Sequence, residues 1–447
     1  MKNPKKILIA NRGVIAIRAL RAAKELGYQV ASVYSTIDKD QKHLKLSDEA
    51  ICIGPAASKD SYLNEAAIIA AAELVGADAI YPGYGFLAEN SSFAEKCNQS
   101  GFKFVGPDPK VIEIMGDKIK AKKLIESLGV PIVPGYTGNI QSQDQIENIV
   151  DEIGYPVIVK ASAGGGGKGM RVVEKKKDLW DCVISAQNEA QLAFGNGEVF
   201  IEKYLQKPRH IEVQVFGDGK GKVVHLYSRD CSLQRRYQKI VEEAPAINLP
   251  QDKLNEIQNI CVKACSELKY EGAGTLEFLY ENNEFYFIEM NTRIQVEHTV
   301  TEMITGVDLV QAQLCLALED RFDLEQDKLK INGHAMQCRI NAEDPETFIP
   351  SPGKISNVHR PGGYHVRFES QIYSGYEVPS NYDSLIAEVI VKDGDRENTI
   401  NKMRMALTEL VVEGIKTNQP LHLKILDDNG FKNVDYYIKY LEEELIK

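Results

Sequence analysis

Thr275-Leu-Glu-Phe-Leu-Tyr280 is followed by Glu281-Asn-Asn283 and then by Glu284-Phe-Tyr-Phe-Ile-Glu289-Met-Asn-Thr-Arg-Ile-Gln-Val-Glu297. Two β-rich runs flanking an Asn-Asn turn predict a hairpin. Side chains alternate faces along a strand. If the chain stays extended, Glu289, Asn291, Arg293, Gln295 and Glu297 project from one side, and Glu277 on the preceding strand can face them. Glu277, Glu289 and the amide oxygen of Asn291 are hard ligands that suit Mg²⁺. Such an ion joins β- and γ-phosphate oxygens and offsets developing charge. Arg293 offers a fork of donors to an oxyanion, and Glu297 is left as a candidate base. The plain alternative is a solvated polar face. An Asn isolated between Glu and Arg, beside bulky aromatics, weighs against it.

Upstream lies Ala161-Ser-Ala-Gly-Gly-Gly-Gly-Lys-Gly-Met170. Four successive glycines let backbone N–H groups approach an anion closely. The segment is not a Walker A loop, because Ser162 stands at the first glycine position and Gly169 follows Lys168. It joins two predicted strands, Val157–Lys160 and Met170–Val173, so it reads as a hairpin tip able to fold over phosphates. The run from Arg229 to Lys239 places Arg229, Arg235, Arg236 and Lys239 in an acidic protein. It fits an oxyanion pocket or a set of salt bridges equally well. Cys231 within it is read as packing.

The first hundred residues alternate between strands (6–10, 29–35, 77–81 and 102–105) and helical segments (13–26 and 68–74). This β–α–β rhythm implies a parallel, doubly wound sheet. The dinucleotide fingerprint is missing: Asn11-Arg-Gly-Val-Ile-Ala16 has one glycine where three are needed. A short α+β unit behind Pro131-Ile-Val-Pro-Gly135 is predicted to be a mobile lid.

The chain has 447 residues, which suggests about three domains. Its 43% hydrophobic and 26% charged residues are ordinary for a globular protein. A net charge of -11 removes any general attraction to nucleic acid or anionic membranes. No run approaches the roughly 20 apolar residues of a spanning helix, and the apolar stretch after Lys6 is too short for a secretory leader. The expectation is a cytoplasmic protein with no nucleic-acid or membrane partner. The eight cysteines have no metal or CxxC spacing and read as reduced core thiols.

Together these segments resemble biotin carboxylase, an ATP-grasp enzyme. The resemblance is carried by Ile9-Ala-Asn-Arg-Gly13, Tyr81-Pro-Gly-Tyr-Gly-Phe-Leu-Ala-Glu-Asn90, Met115-Gly-Asp-Lys118, and Lys160 with the glycine loop. Further support comes from Glu202-Lys-Tyr204, Arg209-His210, Arg229-Asp-Cys-Ser232, Gln234-Arg-Arg236, Glu289 to Glu297 and Cys338-Arg-Ile-Asn-Ala-Glu-Asp344. It implies an α/β and α+β multidomain architecture. The parts are a Rossmann-like N-terminal domain (1–113), an ATP-grasp domain (114–334) with a mobile lid at about 131–203, and a C-terminal biotin carboxylase domain (335–447).

The resemblance also implies roles. Lys118 and Lys160 contact ATP phosphates, with Gly166 and Gly167 covering them. Glu202, Lys203, Tyr204 and Leu205 hold adenine. His210 and Gln234 reach the ribose or phosphates, and Glu277, Glu289 and Asn291 bind magnesium, for which manganese can stand in. Lys239, Arg293, Gln295 and the backbone of Val296 bind bicarbonate, and Glu297 is the base that deprotonates it. Arg339 stabilises the biotin enolate, and Tyr84 lies near the biotin ring. Two positions depart from the pattern. Tyr237 stands beside the nucleotide where histidine is usual, and Thr299 stands where proline usually follows Glu-His.

The implied activity is ATP- and bicarbonate-dependent carboxylation of biotin through carboxyphosphate. It is the first half-reaction of acetyl-CoA carboxylase, which serves fatty acid synthesis, or of a related carboxylase. Acetyl-CoA, another acyl-CoA, pyruvate and 2-oxoglutarate all remain open as final acceptors. No Met-Lys-Met turn is present, only Lys402-Met403 in a helical context. Biotin is therefore expected on a separate carrier protein, with carboxyltransferase subunits and a homodimer as further partners. Two competitors are a different ATP-grasp ligase and a non-catalytic nucleotide sensor. The sensor has no need for Glu297, Arg293 and Arg339 together.

Overall fold

A computed structural model describes residues 4–136, 138, 140, 142–161 and 170–446, without the side chains of residues 118, 119 and 194. The N-terminal sheet begins with β1 (Lys6–Ile9), β2 (Gln29–Ser35) and β3 (Glu49–Gly54), followed by β4 (Ala79–Tyr81) and β5 (Lys103–Phe104). Their order is β3-β2-β1-β4-β5, and every pair is parallel. This is the doubly wound layer that the alternation implied. β3 was not foreseen, since its side chains are mostly exposed or half-buried at the sheet edge.

Helices end where their caps dictate. Asn64 accepts from the Ala67 N–H to start Glu65–Val75, and Gly76 in a left-handed conformation stops it. Asp78, just before β4, is tied to β1 twice, its N–H donating to the Lys6 carbonyl (2.7 Å) and its carboxylate accepting from the Lys6 N–H (2.8 Å).

The lid unit is a second, antiparallel sheet. It contains β6 (Gly135–Tyr136), β7 (Val157–Ala161), β8 (Met170–Val173) and β9 (Val199–Lys203), ordered β6-β9-β7-β8. Helices Gln143–Ile153 and Leu179–Phe194 accompany it, burying Ile146, Val150, Leu179 and Val183 against Val157, Val159 and Ile201. β7 and β8 pair antiparallel with Lys160 opposite Met170. The glycine segment, with Gly166 and Gly167, lies outside the described residues.

The third sheet has eight strands. β10 (Arg209–Asp218), β11 (Val223–Arg235), β12 (Gln238–Ala244), β13 (Glu271–Glu281) and β14 (Glu284–Asn291) belong to the central part. The C-terminal part adds β15 (His334–Asn341), β18 (Val366–Ser370) and β20 (Leu385–Asp393), while the short β16 (Gly353–Lys354) pairs with β19 (Glu377–Val378) and β17 (Asn357–His359) with β21 (Val411–Glu413) in two separate ribbons. The order β14-β13-β10-β11-β12-β15-β20-β18 runs without a break from the central part into the C-terminal part. β12 pairs directly with β15, so the two parts share one backbone ladder.

The β13–β14 hairpin forms as the sequence suggests. Asn282 and Asn283 both take positive φ, 55° and 63°, the conformation a two-residue hairpin turn requires and Asn tolerates. No helix among the described residues is long and apolar enough to cross a membrane.

Candidate active site

β10 reads Arg-His-Ile-Glu-Val-Gln, placing His210, Glu212 and Gln214 on one face by the two-residue period. Opposite Glu212 in the ladders stand Glu277 on β13 and Arg229 on β11. Arg229 is wholly buried. Its guanidinium donates to Glu212 (2.8 Å), Gln214 (2.6 Å), Thr301 (3.0 Å), Thr275 (3.0 Å) and Gln295 (2.6 Å). Of the basic run, therefore, Arg229 is an internal brace that fixes Gln295 and Glu212. Lys239 is the member that enters the cleft.

The Lys239 ammonium donates to Glu277 Oε1 (2.8 Å) and Glu297 Oε1 (2.7 Å), and also to Glu212. Burial opposes its charge, but Glu212, Glu277 and Glu297 outweigh burial and hold its pKa well above the lysine range. The carboxylates respond in kind. Burial would raise Glu277 and Glu297, yet Lys239 pulls both below their ordinary value, helped by His210 at Glu277 and by Arg339 at Glu297. His210 is likewise desolvated, but Glu277 and Glu212 raise it to about 9.

Glu277 lies directly across the ladder from Glu289. Its Oε1 also accepts from Asn291 Nδ2 (2.8 Å) and Gln295 Nε2 (2.6 Å). A carboxylate that gathers an ammonium and two amide donors is a site of strong negative potential. Asn291 turns its Nδ2 to Glu277 and its Oδ1 to Arg293, so the hard donors that fit a divalent cation here are the carboxylates of Glu277 and Glu289, which face each other across the ladder.

The expected straight row is corrected here. β14 ends at Asn291, and residues 292–297 turn instead of continuing as a strand. Glu297 occupies the N-cap position of helix His298–Thr305. Pairing with β13 stops at Asn291 opposite Thr275, so nothing holds the next residues in the pleat. The five odd-numbered groups still converge, because cross-links replace the pleat. Arg293 Nη2 donates to Asn291 Oδ1 (2.8 Å) and its Nε to Glu89 (2.9 Å). Gln295 is clamped between Arg229 and Glu277.

Arg339 on β15 reaches the same place from the C-terminal part. Its Nε donates to Glu242 (2.5 Å) and its Nη2 to Glu297 (2.8 Å). A cavity of about 700 Å³ is lined by Lys160, His210, Gln234, Tyr237, Lys239, Glu277, Glu289, Asn291, Arg293, Gln295, Val296, Glu297, Arg339 and Tyr84. Gln234 Nε2 lies 3.0 Å from His210 Nδ1. Tyr237 is about half exposed (52%) and takes a positive φ of 64°.

Residues 202–205 do not line this cavity. Glu202 accepts from Lys160 (2.7 Å) and pairs with Lys122. Lys203 Nζ is spent on the carbonyls of Gly154 and Tyr155 (both 2.9 Å), and the Tyr204 hydroxyl accepts from Lys439 (2.7 Å). Leu205 is half-buried. Lys118 opens helix Lys118–Ser127, and its side chain lies outside the described residues.

Four contributors were missed in the sequence. Glu212 was legible in the alternation of β10, and Lys122 in the four lysines between 118 and 123. Glu242 and Ile438 left no local signal, for one is placed by β12–β15 pairing and the other arrives from the C-terminal segment. Cys231 is buried beside Glu212, and burial pushes its thiol well above the ordinary range, which makes it inert packing.

Comparison with known proteins supplies the wider frame. Residues 3–112 match the family model "Biotin carboxylase, N-terminal domain", and 337–443 match "Biotin carboxylase C-terminal domain". Residues 117–325 match "Carbamoyl-phosphate synthase L chain, ATP binding domain". A biotin carboxylase of Haemophilus influenzae is 56% identical over 98% of each chain. A crystal structure of a biotin carboxylase–beta-gamma-ATP complex from Campylobacter jejuni superposes with a TM-score of 0.94 at 50% identity, covering 99% of both chains. The biotin carboxylase domain dimer of Hydrogenobacter thermophilus 2-oxoglutarate carboxylase, with MgADP, ADP and bicarbonate, gives 0.92 at 47% identity, covering 98% of this chain and 97% of that one.

Proposed function

The chain belongs to the biotin carboxylase family of ATP-dependent ligases, and we propose that its cleft carboxylates biotin borne on a separate carrier protein. The observation that carries this reading is that one carboxylate, Glu297, is shared by Lys239 and Arg339 in a cavity that Lys160 also lines.

On the nucleotide side, Lys118 and Lys160 take the phosphates, Gly166 and Gly167 cover them, and residues 202–205 with Tyr237 take the adenine. His210 and Gln234 reach the ribose or phosphates. Glu277, Glu289 and Asn291 would hold Mg²⁺, which would offset negative charge on the moving phosphoryl group. Lys239, Arg293, Gln295 and the Val296 backbone hold bicarbonate. Glu297, kept ionised by Lys239, takes its proton.

The bicarbonate oxygen attacks the γ-phosphorus, ADP leaves, and carboxyphosphate forms. Its breakdown yields CO₂ and phosphate. The phosphate accepts the ureido N–H proton, the nitrogen bonds to CO₂, and Arg339 opposes charge on the ureido oxygen. Tyr84 stands beside the ring.

The protein works in the cytoplasm as a homodimer, with a biotin carrier and carboxyltransferase subunits that pass the carboxyl to acetyl-CoA or a related acceptor. The test is ADP release by the purified chain. It should require bicarbonate and rise on addition of free biotin. ATP cleavage that needs an amine, or none at all, would favour another ATP-grasp ligase or a sensor.

A further inference from the structure

Glu242 is fully buried on β12, outside every role assigned above. Its Oε1 accepts from Arg339 Nε at 2.5 Å, and its Oε2 accepts from Gln337 Nε2 at 3.2 Å. Gln337 is held in turn, since its Oε1 accepts from the Thr299 hydroxyl. These bonds form a line Thr299–Gln337–Glu242–Arg339. Arg339 carries five N–H donors. Among the described residues, its side-chain bonds go to Glu242 at one end of the fork and Glu297 at the other.

These two anchors differ in one respect. Glu297 loses its charge when it takes a proton from bicarbonate, so its hold on Arg339 weakens at that moment. Glu242 keeps its place throughout. We infer that Glu242 is the positioning residue that keeps the Arg339 guanidinium aimed into the cleft while Glu297 is protonated. The inference rests on the role given to Arg339 above.

The electrostatics strengthen the coupling. Burial raises the Glu242 carboxyl to about 7; Arg339 opposes this rise, and the neighbouring negative charge of Glu297 adds to it. When Glu297 becomes neutral that repulsion vanishes, and Glu242 ionises more firmly against Arg339. The groups facing this pair are Lys239 on the same strand, Gln337 on β15, Glu297 before helix His298–Thr305, and Glu388 on β20 directly opposite Arg339. Glu388 is buried, and burial with Glu369 nearby pushes its carboxyl well above the carboxylate range. No side-chain hydrogen bond joins Glu388 to Arg339 among the described residues, whereas Glu242 accepts directly from its Nε.

The test uses the full chain with free biotin as substrate. Glu242→Gln preserves the shape and removes the charge, and Glu242→Ala removes the anchor. Glu242→Ala should lower kcat/KM for biotin on the order of 10²-fold, the cost of a misaimed catalytic group, with the KM for MgATP within about twofold of wild type. In the wild type, kcat/KM for biotin should rise with pH through about 7 as Glu242 ionises. That step should be missing in Glu242→Gln. Wild-type kcat/KM for biotin in Glu242→Ala, or an unaltered pH step in Glu242→Gln, overturns the inference. Arg339→Ala run alongside separates the two levels. If it too carboxylates biotin normally, the role of Arg339 falls and this inference with it; if it alone is inactive, only the Glu242 assignment falls.

Discussion

The Lys239 ammonium lies 2.7 Å from Glu297 Oε1, in a cluster where Glu212 and Glu277 compete for the same cation. One ammonium among three buried carboxylates cannot neutralise them, so Arg229 behind and Arg339 in front complete the balance. The candidate base is therefore held ionised by its neighbours, although burial alone would protonate it.

Lys239→Met should expose that dependence. Burial would then dominate at Glu297, its pKa would climb, and the acid limb of the pH–rate profile would move to higher pH. Bicarbonate-dependent ADP release should fall on the order of 10²–10³-fold at neutral pH. An acid limb in the wild-type position would show that Lys239 does not set the charge of Glu297.

Arg339→Ala should retain MgATP binding while carboxybiotin formation falls on the order of 10²–10³-fold, the usual cost of one lost donor to an oxyanion. Nucleotide titration and a discontinuous carboxybiotin assay read the two quantities separately. Near-normal carboxybiotin would refute the assignment.

Chelation of the divalent metal should abolish ATP cleavage, and added Mg²⁺ should restore it. Glu289→Gln should raise the Mg²⁺ needed for half-maximal rate by about tenfold or more. Glu277→Gln should also disturb Lys239, Asn291 and Gln295, which all donate to Glu277. A Mg²⁺ requirement equal to wild type in both variants would remove these residues from the metal site.

Acid stability should report on a second buried cluster. Glu243 accepts from Arg396 (2.6 Å and 2.9 Å) and pairs with His334 (2.8 Å). Burial works to raise its carboxyl, but Arg396 and His334 outweigh that and lower it to about 2. A folded pKa below the unfolded one stabilises the protein above the unfolded value of about 4.5. That contribution, about 3 kcal/mol for a wholly buried group, is lost as pH falls through about 2. Arg396→Met leaves the buried carboxylate with only His334 and the Tyr436 hydroxyl as partners, and should cost about 3 kcal/mol at neutral pH. Because the stranded carboxyl then titrates upward, the deficit should shrink between pH 7 and pH 5. Urea unfolding at both pH values checks the sign.

Biotin should not become attached to this chain. Lys402 lies inside helix Arg396–Glu409, with its ammonium 2.8 Å from Asp393 and 2.9 Å from the Lys392 carbonyl. A carrier lysine must stand free on a turn. Intact-mass measurement after treatment with a biotin–protein ligase, ATP and biotin should find the chain unmodified, and a biotinyl adduct would overturn the separate-carrier reading.

Much of the architecture was legible because it is written in local periodicity. The parallel N-terminal sheet followed from apolar strands alternating with small-residue helices, and the β13–β14 hairpin followed from two β-rich runs around Asn282-Asn283. The convergence of Glu277 with Glu289 and Asn291 was likewise readable, since strand pairing and the two-residue pleat decide it.

Beyond Asn291 the pleat no longer applies, and here only the tertiary structure decided the outcome. Residues 293, 295 and 297 share a cleft because Glu89, Arg229 and Lys239, distant in sequence, pin each of them. Glu242 is reached only by pairing β12 to β15 across some ninety-five residues of chain, and Ile438 by the return of the C-terminal segment. Residue types and short periods thus determined which chemistry this protein carries. The partners that set the charge of its base and the aim of its arginine depend on long-range pairing, because electrostatic fields act through space and leave no spacing along the chain.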